Sequence, residues 1–402
     1  MVKIIYYCSK FPPLAGGAGI HAYYLAKDLS EEGHQVHVIC EHAPGLKKFE
    51  KINDNYSVFR VQVPLIKNRG SGLYFMLLCF GIAIKGIKII LKEKPDILHF
   101  HDTATGIAGL ITKTFIRNKL TVFNFGGSMT YEYMCNAYDE NGWNPALGEN
   151  YAWENPQGIA KFLFNIEKQF YLKNDRVYAV AQYQVDMLNR HLGLSPPKAR
   201  TIHNGIDTEF LNRENFKNIK HDLGYEKMIY VGVRLVKYKA LDVLIKACLP
   251  ILDKYNAYLI IAGDGPEEER LKKLAKNSRR VKFLGNLSWE KNVQYVRSAD
   301  MFVLPTLVDK TPNCLMEALS LETPSISSDI DGVKELIPPG AGILIKPNDS
   351  KLLRNKIEWI FEHSAEAAQM GKKAREFMVA EFDWKRTFER VKVIYRELLN
   401  DQ

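Results

Sequence analysis

Short apolar runs of strand length alternate with amphipathic helical patterns along the whole chain of 402 residues. Each run is apolar at successive positions, which predicts a strand of a parallel sheet covered by helices on both faces. One series of runs precedes residue 203 and a second follows residue 207. In order, the runs are IIYY, QVHVIC, DILHFH, LTVFNF, RVYAVA, MIYVGV, AYLIIAG, VKFLG, DMFVLP and TPSIS.

Two such series predict an α/β fold with two doubly wound, Rossmann-like domains, and the chain is long enough to give each a full core. We expect a first domain over residues 1–202 and a second over residues 203–383. In open parallel sheets, ligands bind beyond the carboxyl ends of the strands where the strand order reverses. Two facing sheets therefore predict a site in a cleft.

Composition narrows the class of protein. The six cysteines are scattered without a Cys-x-x-Cys pair, which argues against a disulfide framework or a thiolate zinc site. The N-terminal MVKIIYYCSK reads as a strand and not as a signal peptide, so we expect a cytoplasmic protein. The net charge of +9 favours an anionic partner, either a phosphorylated substrate or a membrane surface. Without a dense basic run or a nucleic-acid-binding signature, no nucleic-acid partner is expected.

The segment DKTPNCLME, from Asp309 to Glu317, carries the clearest chemistry. The amide groups that open its predicted helix, at Asn313, Cys314 and Leu315, would attract phosphate. The two carboxylates cannot bind phosphate, but they can accept hydrogen bonds from sugar hydroxyls. A phosphate-binding turn between two such acceptors suits a nucleotide-sugar. A capped helix with two solvated acids is the alternative.

Neighbouring motifs extend this pattern over nearly the whole chain. The motifs, in order, are FPPLAGGAGIHAYYLAKDLSEEGHQVHVI, KPDILHFHD, VGVRLVKYKALDVLI, YLIIAGDGPEEERL, VKFLGNLS, DKTPNCLMEAL, SSDIDGVKEL and FDWKRTFERVKVIYRELL. Together they resemble a retaining glycosyltransferase of the GT-B type, in the large family 4 (glycosyl transferases group 1).

The resemblance implies a GT-B architecture, with two Rossmann-like domains facing across a cleft and the last helix, about 384–402, packing back on the first domain. It also implies transfer of a sugar from a nucleotide donor, a UDP- or GDP-sugar, with retention at the anomeric carbon. The acceptor would be a glycan or a lipid-linked glycan in the synthesis of cell-surface polysaccharide or glycoconjugate. The resemblance implies neither a bound metal nor a cofactor.

Arg234 and Lys239 match the family's diphosphate-binding cations. A leaving nucleoside diphosphate gains negative charge as the sugar bond breaks, and two fixed cations can stabilise it without a metal. A solvated loop with surface lysines is the alternative. The family has glycine after the lysine, whereas Ala240 stands here. That departure is small if the backbone there stays in a region allowed for alanine.

The acidic motif departs further from the family. Asp309 replaces the usual glutamate and is one methylene shorter, so donor-sugar binding would need a tighter pocket or a bridging water. Pro312 can open the helix, and Asn313 can cap it or contact a sugar hydroxyl. Glu317 matches the acid that binds the ribose. The remaining donor-binding candidates are Gly16, Gly17, Gly263, Gly285, Asn286, Leu287, Cys314 and Leu315.

Asp264 and Pro266 lie between a predicted strand and a predicted helix. They favour the start of that helix, with Asp264 as its N-cap. Gly16 and Gly17 open a helix and, by resemblance, lie over the donor diphosphate. Gly17-x-Gly19 also imitates a dinucleotide fingerprint, but that motif normally follows its strand at once. A simple helix-start turn is a further alternative.

His101 matches the family histidine beside the reacting sugar, where it would bind a donor hydroxyl or support positive charge. His99 lies on the same side of its strand, and a packed structural role is favoured for it. Zinc binding by the two is disfavoured because no third ligand is evident. The acceptor-side candidates are His21, Asn124, Gly126, Tyr131 and Trp143, although the aromatic residues of 131–158 could equally serve packing.

The stretch from Leu73 to Leu91 is unusually apolar, but Lys85 and Lys88 interrupt it, so we do not expect it to span a bilayer. An ordinary packed helix and a helix lying in an anionic membrane surface both remain open. Lys67 and Arg69 nearby keep the second interpretation open.

We therefore expect a hexosyltransferase-type enzyme that is cytoplasmic or peripheral on the inner face of the cell membrane. Its catalytic residues would be His101, Arg234, Lys239 and Asp309. A nucleotide-sugar epimerase or hydrolase of the same fold is an alternative, as is a non-catalytic partner that binds nucleotide-sugar or glycan. A phosphorylase would need a lysine-bound pyridoxal phosphate.

Overall fold

A computed structural model of the chain describes residues 1–13, 17–63, 72–136, 148–276 and 278–401. The chain forms two compact units. The first unit contains Met1–His203 together with Thr387–Gln402, and the second contains Asn204–Arg386. Each unit is built around one largely or wholly parallel sheet, so the predicted pair of Rossmann-like α/β halves is confirmed.

The sheet of the first unit has the order β3-β4-β2-β1-β5-β6-β7-β8, and every pairing except β3 with β4 is parallel. Its strands are β1 Lys3–Tyr7, β2 Gln35–Glu41, β3 Phe49–Lys51, β4 Tyr56–Val61, β5 Ile97–Phe100, β6 Leu120–Phe125, β7 Arg176–Ala179 and β8 Ala199–Thr201. The strand order reverses between β1 and β5, because later strands continue on opposite sides of that pair.

Helices cover both faces of this sheet, since alternate residues of β1 enter different layers. Tyr7 packs in the core with the second and third helices, whereas the hydroxyl of Tyr6 contacts the C-terminal segment. The helices are α1 Gly17–Glu31, α2 Gly72–Glu93, α3 Thr103–Phe115, α4 Met129–Asn136, α5 Gly148–Glu154, α6 Gly158–Lys173 and α7 Gln182–Leu192.

The second unit has an entirely parallel sheet in the order β11-β10-β9-β12-β13-β14. Its strands are β9 Lys227–Gly232, β10 Ala257–Ala262, β11 Val281–Phe283, β12 Met301–Leu304, β13 Ser325–Ser328 and β14 Ile343–Ile345. The order reverses between β9 and β12, so the loops that follow these two strands flank the position where such sheets bind ligands.

Two apolar cores lie on opposite faces of this second sheet, as expected for a doubly wound domain. The helices are α8 Leu241–Cys248, α9 Glu268–Leu274, α10 Trp289–Ser298, α11 Asn313–Ser320, α12 Val333–Leu336, α13 Ser350–Glu362, α14 Ser364–Glu381 and α15 Trp384–Asn400. Helix α15 begins in the second unit and continues into the first.

Every apolar run named above forms a strand. The short strands β3, β8 and β14 and the longer β4 were not predicted. Strand β4, YSVFRV, was missed because its mixture of polar and apolar residues lacks a continuous apolar run. It nevertheless pairs with β2 over its full length, so tertiary pairing outweighs the weak local pattern.

Candidate active site

The reversal of strand order in the second unit brings together two loops that sequence separates widely. Lys239 ends a 3₁₀ turn, Lys237–Lys239, after β9, and Asp309 lies in the loop after β12. The amine Nζ of Lys239 donates to Oδ2 of Asp309 at 2.5 Å. Backbone bonds join the same loops, because the carbonyl of Tyr238 accepts from Leu307 N at 2.7 Å. A cation and a carboxylate thus meet at the predicted ligand position.

The ion pair between Lys239 and Asp309 is largely shielded from water, with side-chain exposures of 12% and 17%. Burial is the largest influence and lowers the pKa of Lys239, but Asp309 together with Cys314 and Tyr238 outweighs it and raises the pKa above its ordinary value. Lys239 is therefore firmly cationic. The sequence assigned its charge to a diphosphate, whereas in the structure Asp309 neutralises it.

Arg234 lies on the same loop as Lys239 but is exposed, and it forms no ion pair with any described residue. Its backbone is held by hydrogen bonds on either side: Val233 N donates to Ala262 O at 3.0 Å, and Leu235 N donates to Asp264 O at 2.7 Å. These bonds attach the arginine loop to the loop that follows β10. The guanidinium is thus a free cation on a fixed backbone.

Glycines allow these two loops to approach. Gly263 has φ +116°, and a Cβ built on it would lie 1.9 Å from the carbonyl oxygen of Val233. Gly265 has φ +154°, and its Cβ would lie 2.3 Å from the carbonyl oxygen of Leu235. Both contacts are with backbone atoms, which cannot swing aside as a flexible side chain would. Neither glycine needs to touch a ligand to be required.

Substitution of Gly263 by alanine should displace the Arg234 loop. We expect a loss of at least about 2 kcal/mol in the free energy of unfolding, since the added carbon overlaps a backbone carbonyl in a left-handed conformation. Chemical denaturation would measure the loss. Gly224→Ala is the matched control, because Gly224 also has positive φ, +73°, with open space around its Cβ. Equal effects of the two changes would contradict the steric argument.

The prediction that Asp264 caps the following helix is wrong. Helix α9 begins at Glu268 with Glu267 at its N-cap position, and no side-chain bond caps it. The Asp264 carboxylate instead accepts from the side-chain amide of Asn286. Since Gly263 N also donates to Gly285 O at 2.8 Å, the loops after β10 and β11 are bonded together. Leu287 lies next to this contact in sequence and is half-buried.

The start of α11 also differs from expectation. Pro312 lies before the helix, at the N-cap position with φ −66° and ψ 115°, and Asn313 is the first helical residue. Asn313 therefore does not cap the helix, and no side chain does so. Asn313 is exposed, whereas Cys314 is half-buried and Leu315 is buried. This leaves the amide of Asn313 available for a sugar hydroxyl, the other role considered for it.

Glu317 lies deeper in the same helix and has only 8% of its surface exposed. It accepts hydrogen bonds from Trp289 Nε1 at 2.9 Å and from Asn292 Nδ2 at 3.3 Å. Burial raises the pKa of Glu317 to about 7, although the bond from Trp289 opposes the shift. Sequence reasoning missed Trp289 and Asn292, because they come from a different helix and carry no local signal.

Ala240 departs from the family more than expected. Its φ of 50° and ψ of 38° place it in the left-handed region, where the family has glycine. The condition under which the departure would be small is met only in part, since this small allowed region is uncommon for residues other than glycine. Such a conformation costs a non-glycine residue about 1–2 kcal/mol. The turn nevertheless closes, since Ala240 N donates to Lys237 O at 3.0 Å.

In the first unit, His101 follows β5 at the reversal of strand order. Its side chain is fully buried, and neither ring nitrogen has a hydrogen-bond partner among the described residues. Burial, and then the neighbouring His99 and His21, lower the pKa of His101 well below its ordinary value. His101 is accordingly neutral. Its ring stacks on His99, with centroids 4.2 Å apart, and lies 6.0 Å from His21.

A buried hydrogen-bonded chain supports this histidine pair. The hydroxyl of Tyr395, on α15, contacts Nδ1 of His99 at 2.6 Å and also bonds the hydroxyl of Tyr6. The packed role expected for His99 thus agrees with its surroundings. Sequence reasoning missed Tyr6 and Tyr395, since nothing local links residues at opposite ends of the chain.

The acceptor-side candidates have diverse environments. Asn124 is buried at the end of β6, and its Oδ1 lacks a partner among the described residues. Gly126 is exposed, whereas His21 and Tyr131 are 3% exposed, so packing is the role that burial favours for Tyr131. Gly17 is the first residue of α1. Gly16, Trp143, Lys67 and Arg69 lie outside the described residues.

Two buried carboxylates that sequence reasoning also missed hold the loop after β6. Glu167 accepts from the hydroxyls of Ser128 and Thr130, at 3.0 and 2.7 Å. Glu149 accepts from the amide of Ser128 at 3.0 Å. Across the parts of the chain that the structure describes, no group of three or more His, Cys, Asp or Glu side chains is arranged to hold a metal ion.

Comparison with known proteins identifies the family and the fold. The model of Glycosyltransferase Family 4 matches residues 15–210, and the model of Glycosyl transferases group 1 matches residues 212–377. A relative, N-acetyl-alpha-D-glucosaminyl L-malate synthase of Bacillus anthracis, is 25% identical and covers 97% of this chain and 96% of its own. The phosphatidylinositol N-acetylglucosaminyltransferase GPI3 subunit of Saccharomyces cerevisiae is 24% identical, covering 82% of this chain and 69% of its own.

Among solved structures, Anabaena Alr3699/HepE in complex with UDP-glucose superposes with a TM-score of 0.73, at 16% identity, over 100% of both chains. That likeness shows the fold. The two family models together span most of the chain, and they adjoin shortly after Asn204, where the second unit begins. The chain belongs to the group 1 glycosyltransferases of family 4 and has their GT-B fold.

Proposed function

We propose that this enzyme transfers a sugar, with retention of configuration and without a bound metal, from a nucleotide-sugar to a glycan or lipid-linked glycan. The observation that carries the proposal is the Lys239–Asp309 pair beside the exposed Arg234, at the reversal of strand order in the second unit. Two cations and a hydroxyl-accepting carboxylate are what a sugar diphosphate requires. The residues thus fit both parts of the donor.

Donor binding would rearrange the ion pair. As the diphosphate oxygens approach Arg234 and Lys239, Asp309 can exchange its bond to the lysine for one to a sugar hydroxyl. A short aspartate suits this exchange, because the same carboxylate must reach Lys239 when the donor is absent. Asn313, exposed at the start of α11, would contact a second sugar hydroxyl. Glu317 would accept hydrogen bonds from the ribose.

The chemical step asks little of the protein beyond electrostatic stabilisation. The acceptor oxygen forms its bond to the anomeric carbon on the face that the diphosphate leaves. The bond from that carbon to the phosphate oxygen breaks, and a diphosphate oxygen takes the acceptor proton. Arg234 and Lys239 stabilise the charge that develops on the leaving group. His101, held neutral, would hydrogen-bond a hydroxyl of the reacting sugar.

Two further features of the proposal have separate support. A UDP-sugar or GDP-sugar is the proposed donor, and the Anabaena relative in complex with UDP-glucose favours the first. A cytoplasmic location is supported by the cysteines, since Cys8, Cys40, Cys79, Cys248 and Cys314 are all free thiols. Free thiols persist in a reducing compartment. The relative named for phosphatidylinositol supports a lipid-linked acceptor.

A thermal-stability screen against nucleotides and nucleotide-sugars, without metal, tests the proposal. We expect one donor class to stabilise the chain selectively, by roughly 2.7 kcal/mol at a hundred times its dissociation constant. Chelator should not reduce the shift. No shift with any nucleotide diphosphate would contradict the proposal, and turnover of the donor without an acceptor would indicate a hydrolase or epimerase instead.

A further inference from the structure

Helix α2 exposes an apolar stripe. From Leu73 to Ile84, large side chains at spacings of three and four residues face outward, so they share one side of the helix, and the exposed Lys88 separates Ile84 from Leu91. Phe80 and Ile84, at its centre, are 52% and 53% exposed. The whole stripe comprises Leu73, Met76, Leu77, Phe80, Ile84 and Leu91.

The opposite side of α2 is equally apolar but packed. Leu78, Ile82 and Ile90, with their neighbours, lie in the core against the sheet of the first unit. By length and composition the helix could cross a membrane, and its mean hydropathy is 2.0 over the most apolar window. A helix fixed to a sheet along one side cannot present its whole circumference to lipid. The stripe therefore suits a surface contact and not a span.

Positive charge predominates beside the stripe. Helix α2 carries lysines at Lys85, Lys88 and Lys92, and its single acid is Glu93, which pairs with Lys92 at 2.9 Å. Helix α3 packs beside α2, but its one lysine, Lys113, pairs with Asp175 at 3.6 Å and adds little free charge. It ends at Phe115, which is 70% exposed, and Arg117 and Lys119 follow. An anionic surface would complement this arrangement.

We propose that the α2 stripe docks the enzyme on an anionic lipid bilayer, with Phe80 and Ile84 entering the interface and the neighbouring lysines contacting headgroups. An apolar stripe with basic side chains beside it is the pattern of helices that lie in the interface plane. A protein partner would need matching apolar area and acids, whereas a bilayer supplies both over any length. The inference deepens the proposed function and rests on it in one respect: a lipid-linked acceptor would lie at that surface.

Sedimentation of the full chain with vesicles tests the docking. We expect binding to phosphatidylcholine vesicles that contain phosphatidylglycerol, weak binding to phosphatidylcholine alone, and loss of binding at high salt. The variant Phe80→Glu/Ile84→Glu should bind at least about tenfold more weakly, since two charges replace inserted side chains. Phe49→Glu is the matched control, because Phe49 is 51% exposed on β3 of the same unit and outside the stripe.

Each result has a defined meaning. Equal vesicle binding by the wild type and the stripe variant would overturn the proposal. A second outcome would also overturn the proposal: a wild type that is dimeric and does not bind vesicles, with a stripe variant that is monomeric. That result would assign the stripe to contact with a second copy of the chain. Donor-induced thermal stabilisation, measured without vesicles, should be the same in both proteins. Its absence in both, with vesicle binding intact, would count against the proposed function alone.

Discussion

Arg234→Ala should weaken nucleoside diphosphate binding about 10- to 100-fold while leaving the fold intact. The arginine is exposed and forms no ion pair in the described part of the chain, so its removal strands no buried partner. A charge-assisted hydrogen bond to phosphate contributes roughly 1.5–3 kcal/mol, which sets this range. Sugar transfer should fall further, by about 10²–10³-fold, because the leaving group gains charge in the transition state. Calorimetric titration with UDP or GDP measures the first effect.

The control for this variant is Arg279→Ala. Arg279 is also exposed in the second unit, but it precedes β11 and so lies at the other end of that strand from the candidate site. Lys239 needs a different design, since removing it alone leaves the shielded Asp309 carboxylate unpaired. The double variant Lys239→Met/Asp309→Asn removes both charges at once. Full diphosphate affinity in both site variants would refute the assignment.

Glu317→Gln should stabilise the protein at pH 8 by about 3 kcal/mol and weaken nucleotide binding. Burial raises the pKa of Glu317 from an ordinary 4.5 to about 7. Between these values the unfolded chain has lost the proton that the folded chain retains, so stability falls as pH rises through this window. The neutral glutamine avoids that loss. Its advantage should be complete above pH 7 and vanish near pH 4.5.

Denaturant unfolding of both proteins across this pH range measures the difference. Glu290→Gln serves as the control, since Glu290 lies exposed on the same helix as Trp289 and Asn292. A constant difference between wild type and Glu317→Gln at every pH would exclude the buried carboxylate as its source. Nucleotide binding by the wild type should strengthen as pH rises through 7, because the ribose hydroxyls bind the ionised form.

The pattern of apolar residues was sufficient to predict the architecture, because it indicates which segments are buried. The run MIYVGV is apolar at nearly every position, and β9 is correspondingly central in its sheet. A strand of mixed polarity such as YSVFRV cannot be recognised from its own residues. Its burial depends on pairing with β2, which lies elsewhere in the sequence. The exposed side of α2 could not be predicted for a similar reason. Both sides of the helix are apolar, so its periodicity does not indicate which side packs against the sheet.

The candidate site, too, could be predicted only in part from the sequence. Residue identities placed Lys239, Asp309 and Glu317 in one site, because the family resemblance carries their order along the chain. The contact between Lys239 and Asp309 could not be predicted from the sequence. The two residues are 70 positions apart, and either side chain could have been solvated instead. The left-handed backbone of Ala240 was hidden for another reason. Alanine gives no signal for that conformation, whereas the glycine it replaces would have done so.

The buried chain from Tyr6 through Tyr395 to His99 bears on how the protein is made. A ribosome that has released Met1–His203 has not yet synthesised Tyr395, so the nascent first unit lacks the hydroxyl that both earlier residues require. Lys392, which pairs with Asp28 and Glu32 at 3.0 and 2.7 Å, is missing at the same moment. The first unit to emerge can therefore be the last to be completed, after the whole second unit has been translated.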